Sequence, residues 1–428
     1  MGILKVIVIG GGWSGCMAAI TAKKAGAEVA LYEKTDMLLG LGNVGGIMRN
    51  NGRYTAAEEI IALGSGELIH LTDENSKHKN IDFPGHKNAW LCDVNKIEPA
   101  VVKYLKAMDI EVNMITRVLD VEKEGNKIKG IYLSDKRYVE ADVFVETTGS
   151  AGPMNNCLKY GNGCVMCILR CPAFGGRVSI SSKAGIEDLK GEREDGSYGA
   201  FSGSGKLAMG SLSSDIIKQL DETGVVVLKV PKEDINTDKL KVKVCQQYAL
   251  KEFAENIILI DTGDAKLMTP YYPLEKLRKI KGLENAKYVD PYAGGIGNSI
   301  RYVSIAPRED SMKVIGLDNL FCGGEKAGLL IGHTEAMITG ALAGYNAIKS
   351  YLGIPLLILP RSLAVGDIIS YANEKIKLKE GRTNRYTFSG AEYFNRMKDL
   401  GLYTLDIDKI KAKIENLNLT NIFNEKLI

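Results

Sequence analysis

"KVIVIGGGWSGCMAAITAKKAGAEVALYEK" occupies residues 5–34 and carries four signals in a row: an apolar strand, a glycine turn, a helix and a second strand. Lys5–Ile9 is a near-continuous β-branched run, the composition expected of a strand buried on both faces of a parallel sheet. Gly10-x-Gly12-x-x-Gly15 follows at once, with Trp13 and Ser14 between the glycines. Cys16–Ala25 then reads as a helix, and "AEVALYE" as a strand ending at Glu33, next to Lys34. Each part has a mechanical reason. Gly10 permits a tight turn, Gly12 lets the backbone approach a pyrophosphate, and Gly15 lets helix and strand pack closely. The helix N-terminus directs unpaired N–H groups at the phosphates. Glu33, eighteen residues beyond Gly15, is placed to accept hydrogen bonds from a ribose diol. An ordinary glycine turn needs none of the flanking strand, helix and acid, so the segment predicts a dinucleotide site.

Two later stretches favour FAD as that dinucleotide. "NKIKGIYLSDKRYVEADVFVETTGSAG" (126–152) reads as a small β-meander with a turn at Ser134–Asp135, running into a strand whose end carries Thr148 and Gly149. "DNLFCGGEKAGLLIGHTEAMITGALAGYNAI" (318–348) reads as a strand, a Gly323-Gly324 turn and a glycine-punctuated helix. A long dinucleotide lying across a sheet meets several strand ends far apart in sequence. A helix beginning near His333 can aim its positive end at the O2 edge of a flavin ring; a satisfied surface histidine is the competing reading.

The composition sets outer bounds. A chain of 428 residues is long enough for two or three domains with their own cores. Its 45% hydrophobic and 25% charged content is ordinary for a soluble globular protein. With 55 Lys plus Arg against 52 Asp plus Glu the net charge is +3, which argues against a dedicated nucleic-acid binder and against DNA as a partner. The densest basic stretch, "LEKLRKIKG" (274–282), reads as a solvated helix face rather than an RNA contact. No apolar run reaches the roughly 18–20 residues that span a bilayer. The opening residues read as a strand, not a signal peptide, so the cytoplasm is expected, with cysteines kept as thiols or ligands rather than disulfides.

These motifs resemble the glucose-inhibited division protein A family of FAD proteins, related to MnmG and TrmFO, whose members modify uridine C5 in tRNA. "NVGGI" (43–47) is similar to the family's asparagine-to-glycine-pair loop, and "IKGLENAKYVDP" (280–291) to its "GLENA" segment. "VETTGS" (145–150) and "LFCGGEKAGLLIGHTEAMITGALAGYNA" (320–347) resemble its flavin-binding stretches. The resemblance implies an α/β fold: a Rossmann-like, glutathione-reductase-like FAD domain interrupted by a smaller α/β domain and followed by a helical extension. The parts would be 1–152 and 271–350 for the FAD domain, 153–270 for the insertion and 351–428 for the extension. It also implies that Asn43, Gly45, Gly46, Val118, Thr148, Gly149, Gly324, Glu325, Gly332, His333 and Thr334 join Gly10, Gly12, Trp13, Ser14, Gly15, Glu33 and Lys34 around the cofactor. The departures lie on the substrate side. Gly42 precedes Asn43 where the family carries a cysteine, "IRYVSIAPRED" (300–310) replaces a histidine-arginine-asparagine-threonine run, and a Gly-Pro-Met-Lys-Pro segment is missing.

Half of the eight cysteines crowd into fifteen positions: Cys157-x6-Cys164-x2-Cys167-x3-Cys171-Pro172. Three readings stand side by side. The thiolates can ligate an iron–sulfur cluster or zinc, although the six-residue first gap is wrong for a ferredoxin run and a distant second CxxC pair is lacking. Cys167 and Cys171 can instead act as thiols at a flavin edge, Arg170 favouring the thiolate. Or the segment is apolar core with Cys164, Cys167 and Cys171 on one helical stripe. Cys16, Cys92, Cys245 and Cys322 read as buried hydrophobes.

The reading that follows is an FAD-dependent oxidoreductase passing electrons from a reductant, NAD(P)H among the candidates, to a small-molecule or RNA substrate or to the cysteines. Two alternatives accompany it. One is flavin- and folate-dependent C5 modification of a uridine in tRNA or rRNA. The other is a non-catalytic flavin-binding redox sensor.

Overall fold

The first strand, β1 (Lys5–Ile9), lies at the centre of a five-stranded parallel sheet. The computed structural model describes residues 4–150, 173–191, 205–241, 249–268, 272–289, 304–378 and 380–428. The sheet order is β16 (Leu320–Cys322), β9 (Val143–Glu146), β1, β2 (Glu28–Tyr32) and β5 (Glu111–Asn113). Val6 and Val8 are 1% and 0% exposed, as a strand covered on both faces requires.

Helix α1 (Trp13–Lys24) covers one face together with α6 (His333–Tyr351), and both are buried nearly all round. That burial explains their high content of alanine, glycine and aliphatic residues: neither helix has a solvent face to keep polar. Helix α4 (Val94–Ala107) is amphipathic and buries Ile97, Val101 and Leu105, with the Asp93 side chain accepting a bond from Asn95 N at its start. The meander β6 (Val118–Glu124), β7 (Lys127–Leu133) and β8 (Tyr138–Glu140) is antiparallel, with its second turn near Ser134–Asp135 as read from sequence. A hairpin of β3 (Ser76–Phe83) and β4 (His86–Cys92) follows α2 (Gly52–Ala62) and α3 (Glu67–Glu74).

A second sheet is antiparallel, in the order β11 (Lys206–Leu207), β14 (Ala265–Leu267), β13 (Asn256–Asp261), β12 (Val225–Lys229). Alternation assigns its faces. Leu207, Val226, Leu259 and Leu267 pack on α5 (Ser214–Thr223) through Ile216 and Leu220. Ile258 and Ile260 face the other way, against Ile47, Ala89 and Leu91. Leu277, Ile280, Leu283 and Tyr288 join the first of these cores, whereas Ile180 and Ala184 belong to the main core. A short pairing of β10 (Leu189–Lys190) with β15 (Ser304–Ile305) lies on the main-core side.

The basic stretch 274–282 makes only one helical turn, Leu274–Leu277, because Leu277 and Ile280 turn into the core and Gly282 adopts φ +88°. Lys276 there pairs with Asp234. No helix among the described residues is long and apolar enough to cross a membrane.

The C-terminal part is helical, with α7 (Ala364–Lys375), α8 (Ala391–Asp399) and α9 (Ile407–Asn416). It is anchored by Glu59 of α2, whose two carboxylate oxygens accept the Ala364 and Val365 amides at the start of α7 (3.0 and 2.9 Å). Burial pushes this carboxyl up to about 7 against the opposing pull of those two bonds. The folded chain then holds a proton that the unfolded chain has already lost between pH about 4.5 and 7. This group's contribution to stability is therefore greatest below that window and falls as pH rises through it, by up to about 3 kcal/mol. E59Q, neutral throughout, should flatten that slope in urea-unfolding midpoints at pH 5 and pH 8. It should also carry a pH-independent loss of roughly 1–3 kcal/mol, because its amide nitrogen meets a donor.

Candidate cofactor site

The fingerprint glycines divide into two kinds. Gly10 sits at φ +104°, and a Cβ there would lie 2.5 Å from the Thr147 carbonyl oxygen. A Cβ on Gly15 would overlap the Gly10 carbonyl. Both positions are thus demanded by the protein's own packing, reinforced by Thr147 Oγ1 donating to the Gly10 and Ile9 carbonyls (2.6 and 3.0 Å). Gly12 differs: a Cβ there would meet nothing within 4 Å. It caps α1 in extended conformation, and that helix start has neither a side-chain cap nor an acid in its first turn. A cradle is therefore left open where backbone amides and the helix dipole point outward.

Other predicted residues gather around this opening. Glu33 is 8% exposed at the end of β2. Its Oε2 accepts the Gly11 amide at 2.7 Å, and its Oε1 accepts the amide and hydroxyl of Thr35, both at 2.9 Å. The turn Gly40–Val44 runs alongside, with Leu39 N donating to the Gly11 carbonyl at 2.8 Å. The N-terminus of α6 arrives from the far end of the chain, its cap Gly332 at φ +135° and without a side-chain cap. His333 Nε2 donates to the Gly42 carbonyl at 2.7 Å, and its ring meets Trp13 edge-on at 5.2 Å between centroids. At 7% exposure His333 is buried, so the surface-histidine reading fails. Thr334 beside it is buried as well.

The remaining predicted positions line the strand ends. A Cβ on Gly323 would overlap Ser14 Oγ. The Gly324 amide donates to Thr339 Oγ1 at 2.8 Å, and Ser150 Oγ donates to Glu325 Oε2 at 2.9 Å. Thr148 donates to Glu146 (2.9 Å), and Gly149 lies at φ +79° next to Arg177. Gly46, at φ +82°, abuts Thr262 of the second sheet's β13–β14 turn. Val118 begins β6, two residues past Thr116, whose amide donates to the Glu33 carbonyl (2.9 Å). Lys34 turns the other way and donates to the Gly175 carbonyl at 2.9 Å.

Sequence reasoning missed three cations, Lys326, Arg53 and Lys266, although Glu335, the partner of Arg53, lies at the acidic position of the flavin-binding stretch. Lys326 is 1% exposed and holds Asp188 Oδ2 at 2.6 Å and Ser179 Oγ at 2.7 Å, with Glu146 Oε1 at 3.7 Å. Glu146 in turn accepts the Ile180 and Ser181 amides (2.7 and 2.8 Å). Burial works against the Asp188 carboxylate, but Lys326 and the hydroxyls of Ser304 and Ser179 hold it below the usual range. Arg53 of α2 pairs with the fully buried Glu335 of α6 at 3.4 Å and reaches Thr387 at 3.1 Å. Lys266 donates to the Gly45 carbonyl. The only local signal for any of these was a charged residue within an apolar or glycine-rich run.

Cys16, Cys92 and Cys322 are buried thiols, as their isolated positions implied. Burial pushes Cys92 and Cys322 up to about 12 and Cys16 higher still, which makes all three poor nucleophiles. Cys157, Cys164, Cys167, Cys171 and Cys245 lie outside the described residues. Among the described residues no group of three or more His, Cys, Asp or Glu is placed to hold a metal.

The arrangement fits an FAD on three counts. Gly12 leaves space, Trp13 Nε1, Ser14 Oγ and Asn43 Oδ1 are buried without a partner among the described residues, and two uncapped helix starts converge there. This separation of roles makes a prediction for the purified chain. G12A should keep the thermal midpoint of the flavin-free protein within a few degrees while losing bound flavin. G15A should destabilise the fold itself by several kcal/mol, since the Gly10 backbone cannot move aside. Flavin absorbance and a melting curve on each variant distinguish the two.

Comparison with known proteins agrees with this geometry. The family model described as Glucose inhibited division protein A matches residues 5–268 and 262–355. The methylenetetrahydrofolate–tRNA-(uracil-5-)-methyltransferase TrmFO of Dictyoglomus thermophilum is 34% identical over 105 residues, 24% of this chain and 23% of that protein. The tRNA uridine 5-carboxymethylaminomethyl modification enzyme MnmG of Ureaplasma parvum is 28% identical over 167 residues, 37% of this chain and 26% of that protein. The aligned segments thus span about a quarter of either relative's length. GidA of Aquifex aeolicus shares the fold, with a TM-score of 0.63 over 97% of this chain and 76% of that one at 16% identity. Because the family match runs through the dinucleotide turn, the inserted sheet and the α6 start, the chain belongs to the glucose-inhibited division protein A family and has its Rossmann-like FAD-binding fold.

Proposed function

We propose that this chain is a flavin-dependent enzyme that modifies a uridine base in RNA. The observation that carries this reading is the family match across both the dinucleotide fold and the inserted sheet, coupled to an open cradle at Gly12. An oxidoreductase with an unassigned substrate is the broader statement. The relatives, which by name act on uridine in tRNA, favour uridine modification over it.

The residues divide the work as follows. Gly12 and the amides at the start of α1 would receive the FAD pyrophosphate, and Glu33 a ribose diol. Gly45, Gly46, His333 and Thr334 would surround the ring. When bound, FAD supplies two-electron transfer, with a nicotinamide dinucleotide as the proposed reductant. His333, donating through Nε2 to Gly42, keeps the 40–46 turn against the α6 start.

Cys171 is the candidate nucleophile and Cys167 its neighbour in the thiol reading, with Arg170 favouring the thiolate. Support comes from the flanks of their segment. Ser150 is bonded to Glu325 on one side, and Ile180 to Glu146 on the other, so the chain leaves and returns beside the ends of β9 and β16.

The test is nucleoside analysis of tRNA and rRNA from a strain lacking the gene, together with turnover by the purified flavin-loaded chain on the undermodified RNA. One C5-modified uridine should disappear from the strain and be restored in vitro. C171S should retain flavin yet lose restoration by about 100-fold or more. An unchanged nucleoside profile, with no RNA bound by the purified protein, overturns the reading.

A further inference from the structure

Residues 274–288 hold five of the chain's 55 basic residues and two of its 52 acids, so the remainder balances at 50 against 50. This short stretch therefore carries the whole net charge of +3. Charge spread over a surface serves solubility, whereas charge gathered in one loop repels itself and sets up a local field.

Packing turns that field outward. Leu277, Ile280, Leu283, Ala286 and Tyr288 are buried in the core of the second sheet, an anchor at every second or third residue. The side chains between them face solvent, and Arg278, Lys279, Lys281 and Lys287 are all exposed. Arg278 Nε donates to the Ala286 carbonyl at 3.0 Å, which ties its guanidinium to the residue before Lys287. None of these four cations makes an ion pair among the described residues.

The nearby acids are engaged elsewhere. Asp234 pairs with Lys276 and accepts the Tyr272 hydroxyl at 3.1 Å, and both oxygens of Glu284 accept the Gly282 amide at 2.9 and 3.0 Å. Those bonds hold both carboxyls below the usual range, with a smaller pull from Lys279 on Asp234 and from Lys281 on Glu284. Glu275 is the only other acid of the stretch.

The loop also lies near the cofactor cradle. Its end runs beside β11, with the Ala208 amide donating to the Lys287 carbonyl and the Val289 amide to the Lys206 carbonyl, both at 2.8 Å. Strand β11 pairs in turn with β14, whose Lys266 donates to the Gly45 carbonyl of the predicted cofactor turn. Two strand spacings, about 10 Å, therefore separate the loop's edge from the strand that touches that turn. An RNA that brings a base to the cradle is many times longer than this gap.

We propose that Arg278, Lys279, Lys281 and Lys287 form a docking surface for the phosphate backbone of the RNA whose uridine is modified. This rests on the RNA reading above. Separated, exposed cations suit a polyanion lying across them, and such a contact needs no enclosed pocket. A solvated helix face calls for the same exposure, but it gives no reason to concentrate the whole net charge beside the cofactor site.

The experiment measures binding of an unmodified tRNA transcript to the full-length, flavin-loaded protein across about 50–200 mM salt. Lys279 and Lys281 are the positions to vary, because Arg278 also holds the Ala286 carbonyl. The K279Q/K281Q double variant should weaken binding about 3- to 10-fold at low salt and reduce the slope of log K against log salt by about 1–2. K279E/K281E should weaken it further, and flavin content and thermal midpoint should match wild type in both. The control K409Q/K411Q removes the same charge from exposed positions on α9 and should leave affinity and slope near wild type. Equal losses in the control and in K279Q/K281Q, or no loss in K279Q/K281Q, overturn the docking surface and leave the RNA reading standing. Wild-type protein that binds no RNA overturns both.

Discussion

Helices α1 and α6 cross backbone against backbone. A Cβ at Gly340 would overlap the Ser14 carbonyl, and one at Gly344 the Ala18 carbonyl. This contact brings two uncapped helix starts, from opposite ends of the chain, to one point above the C-terminal ends of β1, β9 and β16. Unpaired amides and positive dipole ends then face a common space. Larger side chains at Gly340 or Gly344 would push the helices apart and dissolve that convergence, whatever the glycine fingerprint specified. The Gly40–Val44 turn is held in place by the same pair, through Trp13 of one helix and His333 of the other.

Around this crossing the chain buries charge in paired networks. Lys326, Asp188 and Glu146 satisfy one another together with three serines and two backbone amides. Arg53 pairs with Glu335 at 3.4 Å, and Glu335 Oε1 accepts from Thr387 and the Phe388 amide, while its Oε2 has no hydrogen-bond partner among the described residues. Buried pairs of this kind add little net stability over well-packed apolar residues, but breaking one leaves an uncompensated charge worth several kcal/mol. Their value here is directional: the first ties residues 179–188 to the end of β9, and the second ties α2 to the start of α6. Both anchor segments that border the cradle.

The local reading of residues 5–34 survives almost unchanged, the helix starting at Trp13 rather than Cys16. The meander, the strand at 320 and the helix from His333 follow as well, because each rests on periodicity or turn chemistry that neighbours in sequence supply. The basic stretch 274–282 is half as read: Lys276, Arg278, Lys279 and Lys281 are exposed, as a solvated face requires. The helix lasts only one turn, however, and Leu277 and Ile280 serve a core whose other members begin seventy residues earlier at Leu207. Burial of two aliphatics, rather than the charge count, decides that segment.

The sequence by itself determined the strand–glycine–helix unit, the acid at Glu33 and the family. All of these are written within short windows where backbone conformation depends on adjacent residues. Only the tertiary structure decided which glycines serve packing and which one leaves room. Gly12 is open and Gly15 is not solely because of where Gly10 and Thr147 lie. The same holds for Lys266 on Gly45, 221 residues apart, and for Arg53 on Glu335, 282 residues apart. Contacts closed over such loops carry no local periodicity, so they enter the chemistry of the site only once the chain has folded.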